Sequence, residues 1–219
     1  LVRSPAATGV AMAVLAPSIV LTMIVGNVDA LVLLSVVLTW LLLRAGNDRW
    51  AGLLIGLVTS LKLTPAALIW WMIVTRRWRA AGFAIGACAV LVVVATLGSE
   101  PFVFVRFVEV TLANYGGSPG YLSVANVGRL LGLEPALAAW LPRLALAGGL
   151  LLVLALRNRP AAAYATAVSL MVLGSPVTAF HTPVLLLGML VPFVAERARG
   201  LRRPAAAIAS AGSLPGAPA

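Results

Sequence analysis

Residues 51–75 read AGLLIGLVTSLKLTPAALIWWMIVT and contain a single charge, at Lys62. Arg49 lies just before this stretch, and a cluster of arginines at 76–79 follows it. Because membrane proteins concentrate arginine on the cytoplasmic side, arginines at both ends disagree with one simple crossing. The pattern therefore predicts a broken or re-entrant hairpin of two half-helices, each of about 11 residues, that meet at residues 61–65. One kinked crossing is the alternative.

The composition of the 219-residue chain is that of an integral membrane protein. Hydrophobic residues make up 62% and charged residues 10%, with a mean hydropathy of +1.05, whereas a soluble domain carries roughly 25% charged residues. The net charge of +10 comes from short basic stretches between apolar runs. This distribution is typical of cytoplasmic loops and excludes a nucleic-acid-binding surface. The single cysteine, Cys88, excludes a disulfide scaffold.

The other apolar runs predict an all-α, multispanning membrane protein with about six crossings besides the hairpin. Residues 1–196 form this helical transmembrane domain, and 197–219 form a cytoplasmic tail that is first basic and then disordered and rich in Ala and Pro. Residues 98–135 are predicted to form a structured loop on the outer face. The predicted crossings are 4–25, 30–43, 80–97, 136–156 and a pair within 161–195 that divides near 174–176.

Polar residues from separate segments converge on the outer side in this topology. Asn27 and Asp29 lie at the turn between the first two crossings, Lys62 lies at the tip of the hairpin, and His181 lies at the turn of the last pair. A lysine near the bilayer interior costs roughly 2.5 to 3.5 kcal/mol. Lys62 therefore either faces a wet cavity with an anionic ligand, or it pairs with Asp29 or snorkels. His181 is either a ligand-binding residue or a packing residue.

The outer loop carries candidate substrate-binding residues, Ser123, Asn126 and Arg129, beside further carboxylates, amides and tyrosines that suit sugar hydroxyls and ring faces. The alternative is a solvated loop with an amphipathic helix over about residues 122–131. Trp70, Trp71 and Trp78 adjoin an arginine cluster and predict an interfacial aromatic belt.

The sequence shows no signal for a metal or a nucleotide cofactor. No His, Cys and carboxylate residues have the spacing of metal ligands. No glycine-rich phosphate loop follows a predicted strand. We therefore expect no cofactor and no metal.

Several motifs, taken in order over roughly residues 10–195, resemble those of glycosyltransferase family 87. They are Gly26-Asn27-Val28-Asp29, Leu61-Lys62-Leu63-Thr64-Pro65, Arg76-Arg77-Trp78-Arg79, Ser123 with Asn126 and Arg129, and Gly174-Ser175-Pro176 leading to His181.

This resemblance implies a membrane enzyme of the GT-C type, a class common in actinobacteria. Such enzymes take a sugar from a polyprenyl-phosphate donor and transfer it to a lipid or glycan acceptor on the outer face of the plasma membrane, with inversion at the anomeric carbon. The family includes mannosyltransferases, so mannose is the expected hexose. No nucleotide is used.

The resemblance also implies roles for individual residues. Lys62 matches the family's Lys-x-x-Pro and is the candidate for the donor phosphate; His181 is the candidate for phosphate contact or proton transfer. Asn27 and Asp29 match a Gly-Gln-x-Asn turn that shapes the cavity, with Asn in place of Gln and Asp in place of Asn. The family's catalytic aspartate is expected upstream of Leu1, which suggests an N-terminally truncated chain; Asp29 is the substitute base otherwise.

A second class of function is a multispanning transporter or lipid flippase without transferase activity, whose broken helices would bind a substrate near the midplane. Such a transporter is expected to contain an internal repeat. The two halves of this chain differ in loop lengths and in the placement of motifs, so the sequence favours the enzyme.

Overall fold

The computed structural model describes residues 28–98, 103–113, 123–175, 182–195 and 197, and every regular element in these ranges is a helix. The all-α prediction is confirmed for this part of the chain. The helices are α1 Asp29–Arg44, α2 Asp48–Leu61, α3 Ala66–Val74, α4 Trp78–Leu97, α5 Val103–Ala113, α6 Val124–Leu130, α7 Pro135–Ala138, α8 Leu141–Ala155, α9 Pro160–Leu173 and the 3-10 helix Thr182–Leu190.

The predicted break at residues 61–65 is present between α2 and α3. Lys62 leaves the helical region with φ −148° and ψ 121°. Pro65 lies at the N-cap of α3, where a residue without an N–H leaves no helical hydrogen bond unmade. The two arms have 14 and 9 residues instead of about 11 each, because α2 already begins at Asp48.

Helices α2 and α4 run parallel and in close contact. Gly52 faces Ala80 and Gly56 faces Ala84, so residue numbers rise together along the two helices. A Cβ atom at either glycine would overlap the carbonyl oxygen of the facing alanine. Two parallel helices need a returning segment between them, and α3 supplies it. Helices α2 and α3 therefore form a hairpin.

The arginine-rich turns after α1, α3 and α8 lie at one end of the helices. Arg77 Nη1 donates a hydrogen bond to the Leu43 carbonyl oxygen at 3.4 Å, which joins the first two turns. Residues 74–76 and residues 157–158 line one cavity, which joins the second and third. We call this surface the basic end. It holds seven arginines and one aspartate within residues 44–49, 76–79 and 157–159.

An aromatic cluster holds the short return helix α3 inside the molecule. The ring centroid of Trp71 lies 5.9 Å from that of Trp40 and 5.0 Å from that of Tyr164. Trp71 Nε1 donates to the Pro160 carbonyl oxygen at 3.1 Å, and the Tyr164 hydroxyl donates to the Val36 carbonyl oxygen at 2.5 Å. Helices α1, α3 and α9 are thereby joined through one cluster.

The predicted interfacial belt is wrong for Trp71, which is fully buried. Trp70 is half-buried and donates to the Leu150 carbonyl oxygen at 3.1 Å. Only Trp78 of the three is exposed. Side-chain composition near an arginine cluster does not reveal which face of a helix meets the rest of the protein. Helix α3 packs against α2, α4, α8 and α9, and Trp71 also contacts Trp40 of α1.

The described part of the predicted outer loop contains two helices. Helix α6 confirms the helix expected over about residues 122–131. Helix α5 was not predicted. Helices α7 and α8 occupy the stretch of the predicted crossing at 136–156, and the predicted division of 161–195 is present, since α9 ends at Leu173 and the 3-10 helix begins at Thr182.

Two helical segments in the described part of the chain are long and apolar enough to cross a membrane, Trp78–Leu97 and Pro135–Ala155. Pro160–Leu173 and Thr182–Ala195 are apolar but shorter. The total of about six crossings stays a prediction. The predicted crossing at 4–25 and the tail beyond residue 197 lie outside the described residues.

Candidate functional site at the helix break

Lys62 and Asp29 form an ion pair at the helix break. Lys62 Nζ donates to Asp29 Oδ1 although the two residues are 33 positions apart. The Asp29 side chain is fully buried, whereas that of Lys62 is 23% exposed. The structure thus contains the pairing that the sequence left open as one of two alternatives. Part of the Lys62 side chain therefore remains exposed at the break.

Local chain geometry places both partners. Asp29 is the first residue of α1, where a carboxylate is favoured by the positive end of the helix dipole. Lys62 follows the last residue of α2, and its N–H still bonds to the Val58 carbonyl oxygen at 2.9 Å. The turn then closes with hydrogen bonds from the N–H groups of Ala66 and Leu68 to carbonyls within the break. The lysine is therefore held at a defined point and not on a flexible loop.

Thr64 adds a hydroxyl to the break that sequence reasoning did not single out as a site residue. Its Oγ1 atom is buried and has no hydrogen-bond partner among the described residues. Leaving a buried hydroxyl unpaired costs about 1–3 kcal/mol, so such a group is a candidate for contact with a ligand. The signal in the sequence that points to Thr64 is its position between Lys62 and Pro65 in the predicted break.

Ser123, Asn126 and Arg129 form a second cluster on α6. Ser123 is the N-cap and accepts a hydrogen bond from the Asn126 N–H at 3.2 Å. Arg129 Nη1 donates to Asn126 Oδ1 at 3.0 Å. Helix α6 packs on α7 and α8. Gly128 of α6 lies against Leu141, the first residue of α8, so the cluster is away from the basic end. These contacts are local, and none of them joins the cluster to Lys62.

Two predicted site residues, Asn27 and His181, lie outside the described residues. Within the described part of the chain, no three His, Cys, Asp or Glu side chains come close enough together to hold a metal ion. The site that can be built from the structure thus consists of the Lys62 ammonium, the Asp29 carboxylate that it contacts and the buried Thr64 hydroxyl, which lies two residues further along the break. An ammonium and a hydroxyl at a helix break can donate hydrogen bonds to an anionic group such as a phosphate.

The model of one protein family, glycosyltransferase family 87, matches residues 2–180. The match includes helices α1 to α9 and both members of the ion pair. Searches of curated proteins and of solved structures found no match. Because the matching family is one of glycosyltransferases, the alternative of a transporter without transferase activity is set aside. The chain belongs to glycosyltransferase family 87 and is a glycosyltransferase.

Proposed function

We propose that the protein is a multispanning enzyme of the bacterial plasma membrane that transfers a hexose, mannose, from a polyprenyl-phosphate donor to a lipid or glycan acceptor on the outer face. The observation that carries this proposal is the Lys62 ammonium, held by Asp29 at a helix break. A cation at this place suits a donor that is bound through one phosphate group, as a polyprenyl-phosphate sugar would be.

The distribution of arginine sets the proposed orientation. The basic end faces the cytoplasm by the positive-inside rule. Helix α2 has 14 residues and at 1.5 Å per residue is about 21 Å long. The break then lies in the outer half of a hydrocarbon core about 30 Å thick. A donor whose polyprenyl chain lies in the bilayer would present its phosphate near this depth.

The reaction is a displacement at the anomeric carbon of the donor sugar. The acceptor hydroxyl oxygen forms a bond to this carbon, while the bond from the carbon to the phosphate oxygen breaks. The polyprenyl phosphate leaves with the electron pair, and the hydroxyl proton passes to a base. Attack from the face opposite the phosphate inverts the configuration. The negative charge that develops on the phosphate is the charge that Lys62 would stabilise.

Lys62 can bind phosphate while it remains paired. An ammonium has three N–H donors, and Asp29 Oδ1 accepts one. Since part of the side chain is exposed, the other two donors would turn to the donor phosphate, and the Thr64 hydroxyl would donate an additional hydrogen bond. We therefore propose that Lys62 and Thr64 contact the phosphate directly.

Asp29 is better suited to positioning Lys62 than to accepting the acceptor's proton. Its side chain is fully buried and its Oδ1 atom is occupied by the ammonium, so an acceptor hydroxyl has no direct access to that atom. We propose His181 for proton transfer or phosphate contact and Asn27 for shaping the cavity. Ser123, Asn126 and Arg129 are proposed to bind the substrate from α6.

The test is transfer activity in membranes that contain the full-length protein and radiolabelled polyprenyl-phosphate mannose. Replacing Lys62 by Met should lower kcat by about 10²- to 10³-fold, the usual effect of removing one transition-state donor. Lys62→Arg keeps the charge and should retain more activity. Arg159→Gln, which removes a cation from an exposed position at the basic end, is the matched control and should change kcat less than twofold.

Unchanged turnover in Lys62→Met would exclude Lys62 from the mechanism. Transfer from a different polyprenyl-phosphate sugar, with none from the mannose donor, would overturn the sugar assignment and leave the role of Lys62 standing.

A further inference from the structure

The basic end contains a cavity that the proposed transfer reaction does not use. It has a volume of about 320 Å³ and is lined by Val74, Thr75, Arg76, Arg157 and Asn158. These residues belong to the end of α3 with the turn after it, and to the turn after α8. The cavity therefore lies at the end of the α2–α3 hairpin opposite Lys62, and a ligand bound there would not compete with the sugar donor.

The polar lining of the cavity suits a phosphate group. Two guanidinium groups and one side-chain amide supply several N–H donors, and the guanidinium fork matches the oxygen spacing of a phosphate. Neither Arg76 nor Arg157 forms an ion pair with an acid among the described residues. Asp48, the acid at this end, interacts with Arg77 instead, where it partly offsets the lowering of the arginine's pKa by burial.

The backbone at Arg76 gives an independent reason to assign a role to its side chain. Helices α1, α3 and α6 end in turns with the same hydrogen-bond pattern. One residue in each turn has a positive φ. It is Gly46 (78°) after α1 and Gly132 (87°) after α6, but Arg76 (60°) after α3. Glycine adopts this conformation without strain and arginine does not. The turn alone would favour glycine, so arginine at this position costs stability, which supports a role for its side chain.

The surroundings of the cavity indicate a lipid as the source of the phosphate. Trp50 and Trp78, both at the basic end, are exposed, as is typical of side chains at the headgroup level of a membrane. Leu151 and Leu154 are exposed on the last turns of α8, directly before Arg157. An acyl chain could lie along these leucines while its headgroup occupies the cavity.

We infer that this cavity binds the phosphate of an anionic phospholipid headgroup on the cytoplasmic side of the membrane. The inference uses the orientation given under the proposed function but not the donor, the acceptor or Lys62. Basic pockets between membrane helices on this side are suited to anionic headgroups, because the cytoplasmic leaflet is rich in them.

The test measures the unfolding temperature of the purified full chain in an uncharged detergent. Dioleoyl phosphatidylglycerol, dioleoyl phosphatidylcholine and inorganic phosphate are titrated separately. Phosphatidylglycerol should raise the unfolding temperature of the wild type in a saturable manner, and the other two should not. In Arg157→Gln and in Arg76→Gly, the half-saturating concentration of phosphatidylglycerol should rise about tenfold or more, since each loses a charge-assisted hydrogen bond.

Arg79→Gln is the matched control, because it removes an arginine of the basic end that does not line the cavity. Its half-saturating concentration should stay within about twofold of the wild type, as expected for a screened surface charge. Arg76→Gly should also raise the unfolding temperature without lipid, so a weaker lipid response in this variant would not reflect misfolding.

Three results would overturn the inference. A loss of lipid response in Arg79→Gln as large as that in Arg157→Gln would show diffuse attraction to the whole basic end. An equal response to phosphatidylcholine would remove the role of the anionic headgroup. A rise in the unfolding temperature with inorganic phosphate, at the concentrations at which phosphatidylglycerol acts, would assign the cavity to a soluble phosphate and not to a lipid. None of these results bears on sugar transfer, which is measured with Lys62→Met.

Discussion

Asp29 shows how one residue links the folding of this protein to its chemistry. A carboxylate without exposed surface loses its hydration, and the Lys62 ammonium compensates for that loss through direct contact. The same contact limits the positions that the lysine side chain can occupy. We therefore expect changes at Asp29 to alter how the donor is bound and not only how much protein folds.

Asp29→Asn tests whether Asp29 positions Lys62 or acts as the base. The amide keeps the shape of the side chain but removes its charge, so the ammonium is held less firmly. We expect transfer to fall about tenfold, with a higher KM for the donor and an unchanged KM for the acceptor. Loss of a general base would lower kcat by about 10²- to 10⁴-fold. Steady-state kinetics with donor and acceptor varied separately distinguish a positioning role from a general-base role. A loss of kcat by about 10²- to 10⁴-fold would contradict the positioning role.

Arg76→Gly tests the strain at the turn after α3. A non-glycine residue with φ near 60° costs of order 1 kcal/mol, which glycine avoids. We expect the free energy of unfolding to rise by about 1 kcal/mol, as measured by thermal unfolding in detergent.

Gly46→Ala is the matched control for that measurement. Gly46 has φ 78° and open space around its Cα, so alanine introduces strain without a clash. We expect this change to lower stability by about 1 kcal/mol. Shifts of the same sign in the two variants would contradict the assignment of strain.

At the scale of elements, the contact between α2 and α4 is what makes the hairpin possible. The facing glycines and alanines let the two backbones approach closely. Cys88 Sγ lies 3.2 Å from the Gly56 carbonyl oxygen in the same interface. The small residues are therefore required by backbone proximity and not by a preference of the helix, since glycine weakens a helix by itself.

Gly56→Leu should separate α2 from α4. The added side chain would overlap the backbone of Ala84, and relief requires a movement of the whole helix. We expect a loss of more than about 3 kcal/mol of stability or failure to fold, measured as the yield of monodisperse protein in detergent and its unfolding temperature.

The matched control is Gly82→Leu on α4. A Cβ atom at Gly82 meets nothing within 4 Å, so the protein should fold normally and gain slightly in helix propensity. Equal damage from the two substitutions would show that the α2–α4 contact is not the critical one.

At the scale of the whole molecule, the helices separate two chemically different ends. Arginines gather at the basic end, whereas the Lys62–Asp29 pair lies at the far side of the hairpin. In a membrane this arrangement would place the basic end at the cytoplasmic surface and the Lys62–Asp29 pair in the outer half of the bilayer, open to the outer side. The proposed donor site and the proposed lipid site then face opposite sides.

Cysteine labelling in intact cells tests this arrangement. In a Cys88→Ser background, Asn47→Cys and Trp78→Cys should both react only after the cytoplasmic side is made accessible, because both turns lie at the basic end. Leu63→Cys, placed in the break at a position 48% exposed, should react with an impermeant reagent from outside. Labelling of positions 47 and 78 from opposite sides would contradict the hairpin.

The sequence by itself determined the helical class, the break at residues 61–65 and the grouping of the arginine-rich turns. These features follow from local properties: apolar length, a proline with no N–H to donate, and charges that favour one aqueous phase. The tertiary structure decided that Lys62 pairs with Asp29, that Trp71 is buried and Trp78 is not, and that Arg76 and Arg157 share a cavity. Such pairings depend on which helix faces meet, and a nearly uniform apolar sequence carries little information about that choice.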